Sequence, residues 1–410
     1  MNNLPTIFVQ IAAYRDPEIV PTILDCLSKA KYPERLTFGI CCQDDHFEHL
    51  DQFKTDSRFK FVEVPYQESK GACWARSKIN DLYNKEDFTL QIDSHMRFVE
   101  NWDTFVLDLW GDLNDPKAIF TTYPAEYYPT KPESTWGKAP HIIQMKGFKN
   151  GETEQHPYTP PNWQQRTTPY RARHVAAGFI FGPGSLIEDV PYDPEHYFSG
   201  EETSLMIRFF THGYNVFHPH KLILWHYYTR SDQPKHWSDD KQWGALAAVA
   251  KDRLYCLIGR NNNHDLGKYG LGKVKTLEDF QNYTGIDFKR CVLHLDVLDT
   301  KEPPVDLTDK YRWSYETKTF KKKMIWRFED IDKMDDPRFW AFIFKDQNDH
   351  ELYRKDITYA ENKDLLDGKV TEYEFEFTHY TPAQVPAIFM IWPYSESKGW
   401  LKNKVWNINK

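Results

Sequence analysis

The chain has 410 residues, of which 40% are hydrophobic and 27% are charged, a balance typical of a soluble globular protein with two or three domains. Its formal net charge of −8 argues against a protein that wraps nucleic acid or binds anionic lipid by charge. No stretch reaches the roughly twenty apolar residues of a membrane span, and the N-terminus lacks a basic signal region, so we expect a cytoplasmic protein.

The first part of the sequence alternates between predicted strands and predicted helices. This alternation is typical of a largely parallel sheet covered by helices, in which ligands gather at the carboxyl ends of the strands. Apolar runs predict strands at residues 6–12, 36–42, 59–64 and 88–92, and helical spacing predicts a helix opening at Asp16-Pro17 and another over residues 71–83. The polar residues at the strand ends are Tyr14, Arg15, Asp44, Asp45, Asp93 and His95.

Asp93 and His95 close the fourth predicted strand. Because strand side chains alternate in direction, these two residues point to one face while Ser94 points to the other. A carboxylate and an imidazole in this arrangement can hold a divalent cation against a diphosphate. Taken alone, an ordinary strand-to-loop turn explains the tripeptide equally well.

The middle of the chain contains a long segment with little periodicity, residues 115–174, which is rich in Pro, Thr, Tyr and Lys. An insertion of this length beside a site is usually functional, so we expect a lid or a wall that contacts the acceptor. Beyond it we predict a strand at 175–182, a helix at 201–212, an extended segment at 215–225 and a long helix at 239–258.

The composition changes after Glu302-Pro-Pro304. Short predicted strands follow at residues 324–328, 339–344, 372–377 and 387–392. In the third of them, aromatic residues alternate with glutamate, which indicates one buried and one exposed face. We therefore predict two domains, an α/β domain at 1–300 and a small antiparallel β-sandwich at 305–410.

Three further segments, Ala176–Gly182, Tyr197–Arg208 and Leu224–Arg230, together with Asp93-Ser-His95, resemble the retaining glycosyltransferases of the GT-A fold. The polypeptide GalNAc-transferases are one branch of these enzymes. The cytoplasmic GlcNAc-transferases that modify hydroxyproline on a ubiquitin-ligase adaptor are the more similar branch. The resemblance spans residues 5–300 and implies a GT-A catalytic domain, with the β-sandwich in place of the lectin module of the GalNAc branch.

The resemblance also implies how the donor is bound. Asp93, His95 and His226 resemble the family's ligands for Mn²⁺, and their oxygen and imidazole donors suit Mn²⁺ or Mg²⁺ better than a soft metal. Further residues expected at the nucleotide sugar are Tyr14 and Arg15, the acidic pair Asp44 and Asp45, Arg76 in a helix segment, Gly178 and Gly200.

Glu201, Glu202 and Arg230 are the predicted catalytic residues. Gly200-Glu201 resembles the pair that binds hydroxyls of the donor sugar in the family. Glu202 stands where the GalNAc branch has Asn, a departure that could alter recognition of the sugar or the acceptor.

These observations predict a metal-dependent retaining glycosyltransferase that moves α-GlcNAc from UDP-GlcNAc to a hydroxyl acceptor, such as a protein hydroxyproline, Ser or Thr. One alternative keeps the chemistry but takes a polysaccharide or lipid-linked glycan as acceptor. A second alternative is a non-catalytic glycan-binding protein, which predicts loss of the metal-binding residues. We expect no nucleic-acid partner, and a homo-oligomer is compatible with the sequence.

Overall fold

The structure of the protein is a computed structural model. The chain forms two compact units, one made of Met1–Cys291 and Asp296–Val305 and the other of Val292–Leu295 and Asp306–Lys410. The described residues are 4–149, 152–230, 233–308, 312–313, 316–327, 336–347, 349–361, 363–369, 372–381 and 384–408.

Strands and helices alternate through the first unit, and strands dominate the second. The strands are β1 (Ile7–Tyr14), β2 (Leu36–Gln43), β3 (Phe59–Val64), β4 (Phe88–Asp93), β5 (Met96–Phe98), β6 (Ala118–Thr121), β7 (Ala125–Glu126), β8 (Ile142–Lys149), β9 (Glu152–Tyr158), β10 (Tyr170–Arg171), β11 (Phe179–Pro183), β12 (Asn215–His218), β13 (Leu224–His226), β14 (Ile286–Asp287), β15 (Val292–Leu293), β16 (Glu316–Ile325), β17 (Pro337–Lys345), β18 (Glu351–Thr358), β19 (Glu372–Thr381), β20 (Ile388–Ser395), β21 (Gly399–Trp400) and β22 (Lys404–Asn407). The helices are α1 (Ile19–Lys29), α2 (Asp51–Lys54), α3 (Ala72–Asn80), α4 (Trp102–Gly111), α5 (Leu186–Asp189), α6 (Glu201–Thr211), α7 (His236–Asp239), α8 (Trp243–Leu257), α9 (Leu277–Thr284), α10 (Leu295–Leu298) and α11 (Lys363–Leu366).

The first unit is built on an eight-stranded sheet with the order β10-β12-β6-β11-β4-β1-β2-β3. The strands β4, β1, β2 and β3 are parallel, whereas β11 runs antiparallel to both β4 and β6. Six of the eight residues of β1 are buried, as expected for a central strand that is covered on both faces. The predicted α/β class is confirmed, and the sheet is mixed rather than wholly parallel.

The register of the sheet brings two distant strand ends together. Asp93, the last residue of β4, pairs with Ala12 near the end of β1, and its backbone N–H donates to the carbonyl of Gly178 beside β11. A small second sheet, β5-β13-β7, pairs His226 with Met96, so residue 226 lies next to the segment that carries His95. The ends of β4 and β13 thus meet, although they are far apart in the chain.

Several predicted elements have different bounds in the structure. Helix α1 begins at Ile19 because Asp16 caps a turn instead, accepting the Glu18 N–H at 3.0 Å. The segment 115–174 contains strands, including the antiparallel β8-β9 hairpin, so it is not a structureless insertion. The long helix predicted at 239–258 corresponds to α8, which begins at Trp243, and the short α7 precedes it and ends at Asp239.

The second unit contains two antiparallel sheets, β16-β19 and a larger sheet built on β18-β17-β20. Aromatic and aliphatic residues of both sheets form one core, in which Phe342 and Phe344 meet Phe375 and Phe377. The predicted antiparallel C-terminal sheets are confirmed. Of the strand predicted at 324–328, the first two residues end β16, the next two follow it, and residue 328 lies outside the described residues.

Among the helices of the described ranges, none combines the length and the apolar character that a bilayer-spanning segment requires.

Candidate functional site

A cavity of about 590 Å³ lies at the carboxyl ends of the central strands of the first unit. This is the edge of an α/β sheet where ligands are expected. The predicted residues that line it are Tyr14, Arg76, Asp93, His95, Gly178, Gly200, Glu201, Glu202, His226 and Arg230.

Asp93, His95 and His226 converge in this cavity. The Nε2 atoms of the two histidines are 3.0 Å apart, and Nε2 of His226 lies 3.2 Å from Oδ2 of Asp93. One ligand atom from each residue can be chosen so that all three lie within 4.8 Å of one another. The strand ends described above therefore bring together three groups that bind divalent cations.

Asp16 fixes the orientation of the His95 ring. Its Oδ2 lies 2.7 Å from Nδ1 of His95 and also accepts hydrogen bonds from the Ser94 hydroxyl at 2.6 Å and from Arg230 at 2.8 Å. Burial alone would raise the pKa of Asp16, but the hydrogen bond with His95 and the charges of His95 and Arg230 lower it to about 2. An ionised Asp16 makes Nδ1 the protonated nitrogen of His95, so Nε2 presents its lone pair to His226 and Asp93.

This donor set fits a divalent cation. The lone pair on His95 Nε2 faces two other electron-rich groups, His226 Nε2 and the Asp93 carboxylate. The repulsion among these three groups is relieved only by a shared proton or by a bound cation. Two metal–ligand bonds of about 2.1 Å that meet at a right angle place their ligand atoms about 3 Å apart, which is close to the separations seen here. The carboxylate with two imidazoles, backed by Asp16, has the carboxylate–histidine–metal arrangement of metalloproteins.

A buried arginine joins the cluster to the start of α6. Arg76, in α3, donates to Oδ1 of Asp93 at 2.9 Å and to Oε1 of Glu201 at 2.5 Å. Burial would raise the pKa of Asp93, but the hydrogen bond with His226 and the charges of Arg76 and His95 hold it well below its usual range. Asp93 is therefore ionised, with one oxygen toward Arg76 and the other toward the histidines.

Two glycines allow this close packing. A Cβ on residue 178 would lie 2.6 Å from Oδ2 of Asp93, so a side chain there would displace the carboxylate. Gly200 has φ +81° at the start of α6, a left-handed conformation that favours glycine and turns the chain so that Glu201 and Glu202 line the cavity.

Glu202 lies in the first turn of α6, in the cavity wall. Its carboxylate accepts the Ala177 N–H and the Tyr123 hydroxyl, both at 2.8 Å. Burial raises the pKa of Glu202 from 4.5 to about 7, with the charge of Glu201 adding to the rise and the two hydrogen bonds and Arg76 opposing it. Glu202 thus titrates near neutral pH, unlike an ordinary glutamate.

We expect Glu202→Gln to stabilise the fold more at pH 8 than at pH 5, by about 2 kcal/mol. The folded chain holds the Glu202 proton up to about pH 7, whereas the unfolded chain loses it near pH 4.5, so the ionised carboxylate lowers wild-type stability as the pH rises between these values. Urea unfolding of both proteins at the two pH values measures this. Glu48→Gln, on the exposed Glu48, is the matched control, and an equal effect of Glu202→Gln at both pH values would contradict the prediction.

Three of the residues predicted at the nucleotide do not line the cavity. Asp44 and Asp45 follow β2 at the surface, where the Asp45 carboxylate accepts from Gln67 at 3.0 Å. Arg15 forms an ion pair with Asp239 at 2.9 Å and lies over the ring of Tyr66. The roles assigned to these residues stay predictions.

Several residues of the cavity were not predicted from the sequence. Asp16 was interpreted as a helix start, and Tyr123 lay in the segment without periodicity. One feature of the sequence could have indicated both residues, namely their position just after a strand: Asp16 shortly follows β1, and Tyr123 shortly follows β6. Among the others are polar and aromatic residues of the wall: Gln43, Glu152, Thr153, Gln155, Tyr197, Phe198, Ser199, Lys235, His236 and Trp237.

A sequence model of the family described as "Glycosyltransferase (GlcNAc)" matches residues 6–52 and 44–290, a range that contains every residue of the cavity wall. No curated protein sequence matches the chain.

Solved structures are similar at low identity. A structure of GalNAc-T7 with UDP, GalNAc and Mn²⁺ has 16% identity and a TM-score of 0.46, and the match covers 68% of this chain and 56% of that one. The chain therefore spans little more than half the length of GalNAc-T7 in that structure. A structure of S. aureus TarS 1-349 in complex with UDP-GlcNAc has 12% identity and a TM-score of 0.39, with 64% and 68% covered.

Proposed function

The chain belongs to the Glycosyltransferase (GlcNAc) family, and from this membership we propose that it moves α-GlcNAc from UDP-GlcNAc to a hydroxyl acceptor, with retention and with a divalent cation. The observation that carries the proposal is the convergence of Asp93, His95 and His226 in the cavity. A non-catalytic glycan-binding protein would have no need of this set of ligands. Mn²⁺ is the proposed ion, with Mg²⁺ as the alternative, and the cytoplasm is the proposed compartment.

Each part of the cavity has a proposed role. Asp93, His95 and His226 would hold the cation, which supplies charge neutralisation to the diphosphate of the donor. Arg76 and Arg230 add positive charge beside them, and both are fixed by carboxylates, so little reorganisation is needed when the diphosphate binds. Glu201, buried beside Arg76, is the proposed acceptor of hydrogen bonds from the hydroxyls of the donor sugar.

The proposed reaction is a front-face substitution. The acceptor oxygen forms the new bond to C1 of the sugar, the bond from C1 to the diphosphate breaks, and the proton of the hydroxyl passes to a phosphate oxygen of the leaving UDP. This scheme needs no nucleophilic side chain. Glu201 is engaged with Arg76 and Glu202 with Tyr123 and Ala177, which favours binding and positioning roles for both.

Release of UDP from a panel of donors tests the proposal. With Mn²⁺, we expect UDP-GlcNAc to exceed UDP-GalNAc in kcat/KM by about tenfold or more, because a buried carboxylate left without its hydroxyl partner penalises the wrong epimer. UDP-glucose and UDP-galactose complete the panel. A strict preference for UDP-GalNAc would contradict the proposed donor, and no UDP release from any donor would contradict the proposed function.

A further inference from the structure

Two large aromatic side chains are exposed in the wall of the cavity. Phe198 is 58% exposed and Trp237 is 44% exposed, yet their rings lie in contact, with centroids 5.5 Å apart. Both residues line the cavity that contains Asp93, His95 and His226. Exposed aromatic surface at the rim of a cavity is unfavourable in water and typically marks a binding groove.

Hydrogen bonds hold this aromatic pair in place. Tyr197, next to Phe198, and His236, next to Trp237, are bonded to each other through the tyrosine hydroxyl and Nδ1 at 2.8 Å. The other ring nitrogen of His236 lies 3.0 Å from the carbonyl oxygen of Ser69. The two rings are therefore carried by residues whose neighbours are fixed, so little conformational entropy is lost when a ligand binds them.

Short α7 is held at both ends. At the C-terminal end of α7, Asp239 accepts a hydrogen bond from the Tyr14 hydroxyl at 2.8 Å and forms the ion pair with Arg15 described above. Tyr14 and Arg15 lie at the carboxyl end of the central strand β1. These contacts fix the position of the aromatic pair relative to the strand ends that carry the proposed metal ligands.

Polar side chains line the same cavity as the pair. The hydroxyl of Ser199, which follows Phe198, is hydrogen-bonded to the Glu152 carboxylate, and Gln155 lines the same cavity. Flat apolar rings beside carboxylate, hydroxyl and amide groups complement a pyranose, which has an apolar C–H face and a polar hydroxyl edge. A long apolar chain would offer these polar groups no further hydrogen bond.

Resting on the proposed function, we propose that Phe198 and Trp237 form the acceptor subsite and that the acceptor is a saccharide, whose ring packs on the two aromatic rings. This assigns the acceptor to the glycan class rather than to hydroxyproline in a peptide. The hydroxyl of the bound sugar would then take part in the substitution described above.

Saturation-transfer NMR tests the subsite without requiring catalysis. The probes are the methyl glycosides of glucose, galactose, mannose and fucose, each added to the 410-residue chain with UDP and Mn²⁺. We expect saturation of ring C–H protons of at least one glycoside, with binding roughly tenfold weaker in Trp237→Ala and Phe198→Ala. Trp243→Ala is the matched control, because Trp243 is 46% exposed but lies outside the cavity wall, and it should bind as the wild type does.

Three outcomes would overturn the saccharide subsite. The first is no saturation of any glycoside, and the second is glycoside saturation that is the same in Trp237→Ala and Phe198→Ala as in the wild type. The third is saturation of a blocked hydroxyproline amide that depends on Trp237, together with no saturation of the glycosides. Trp237→Phe, which keeps a ring, should retain most of the binding. Failure of the proposed function is a separate result. It would be seen as no release of UDP from any UDP-sugar, whereas the NMR experiment measures glycoside binding and does not depend on turnover.

Discussion

Asp93→Ala should abolish metal-dependent release of UDP, lowering kcat/KM by roughly a hundredfold or more. The substitution removes the one carboxylate of the three proposed metal ligands and leaves only two imidazoles. Because the Asp93 side chain is 28% exposed and lies at a strand end, its loss should affect the fold little. EDTA should have the same effect on the wild-type protein, with recovery when Mn²⁺ is added back.

Binding of Mn²⁺ by calorimetry gives a readout that does not depend on turnover. We expect Asp93→Ala to weaken binding at least tenfold, and Gly178→Ala to weaken it as well, since its Cβ would displace the Asp93 carboxylate. Asp108→Ala removes an exposed carboxylate in α4 and is the matched control. Full activity in EDTA, or unchanged Mn²⁺ binding by Asp93→Ala, would rule out the metal assignment.

Arg76→Met should lower the free energy of unfolding of the first unit by about 3–5 kcal/mol. Arg76 and Glu201 are 7% and 6% exposed, and methionine keeps much of the buried stem while removing the charge. Glu201 would then be a buried carboxylate without a cation, which costs far more than the loss of one surface ion pair. Urea unfolding followed by a probe in the first unit measures the change.

The double variant Arg76→Met/Glu201→Gln separates charge from packing. Since it removes both members of the pair, we expect it to recover part of the lost stability but none of the activity. Arg76→Lys should be intermediate, because an ammonium group cannot donate to Asp93 and Glu201 in the fork geometry of a guanidinium. A loss below about 1 kcal/mol in Arg76→Met would show that the buried pair contributes little.

The strand signals in the sequence were strong because they are local. Buried central strands appear as continuous apolar runs, and the alternation of β1, α1, β2 and β3 predicted the α/β class before any contact was known. The glycosyltransferase family was predicted from four short motifs, and the family match confirms it. The hydroxyproline-modifying branch stays a prediction.

The sequence was least informative where structure depends on distant partners. The antiparallel strands β8 and β9 lie in a segment with no period, because most residues of β9 are half-buried or exposed and its proline and polar residues obscure alternation. The short α7, which ends where the predicted long helix begins, is also not predicted from the sequence. The contacts that hold α7, from Tyr14 and Ser69, come from other parts of the chain.

The sequence by itself determined the fold class, the strand that ends at Asp93 and the family, since each depends on short local patterns of residues. Only the tertiary structure decided which polar residues share the cavity. It placed Asp16 behind His95, 79 positions away, and joined Asp16 to Arg230 across 214 positions. It also left Asp44 and Asp45 at the surface. A strand end shows where polar groups gather, but the direction of each side chain and its partner depend on packing between elements, which no local pattern in the sequence encodes.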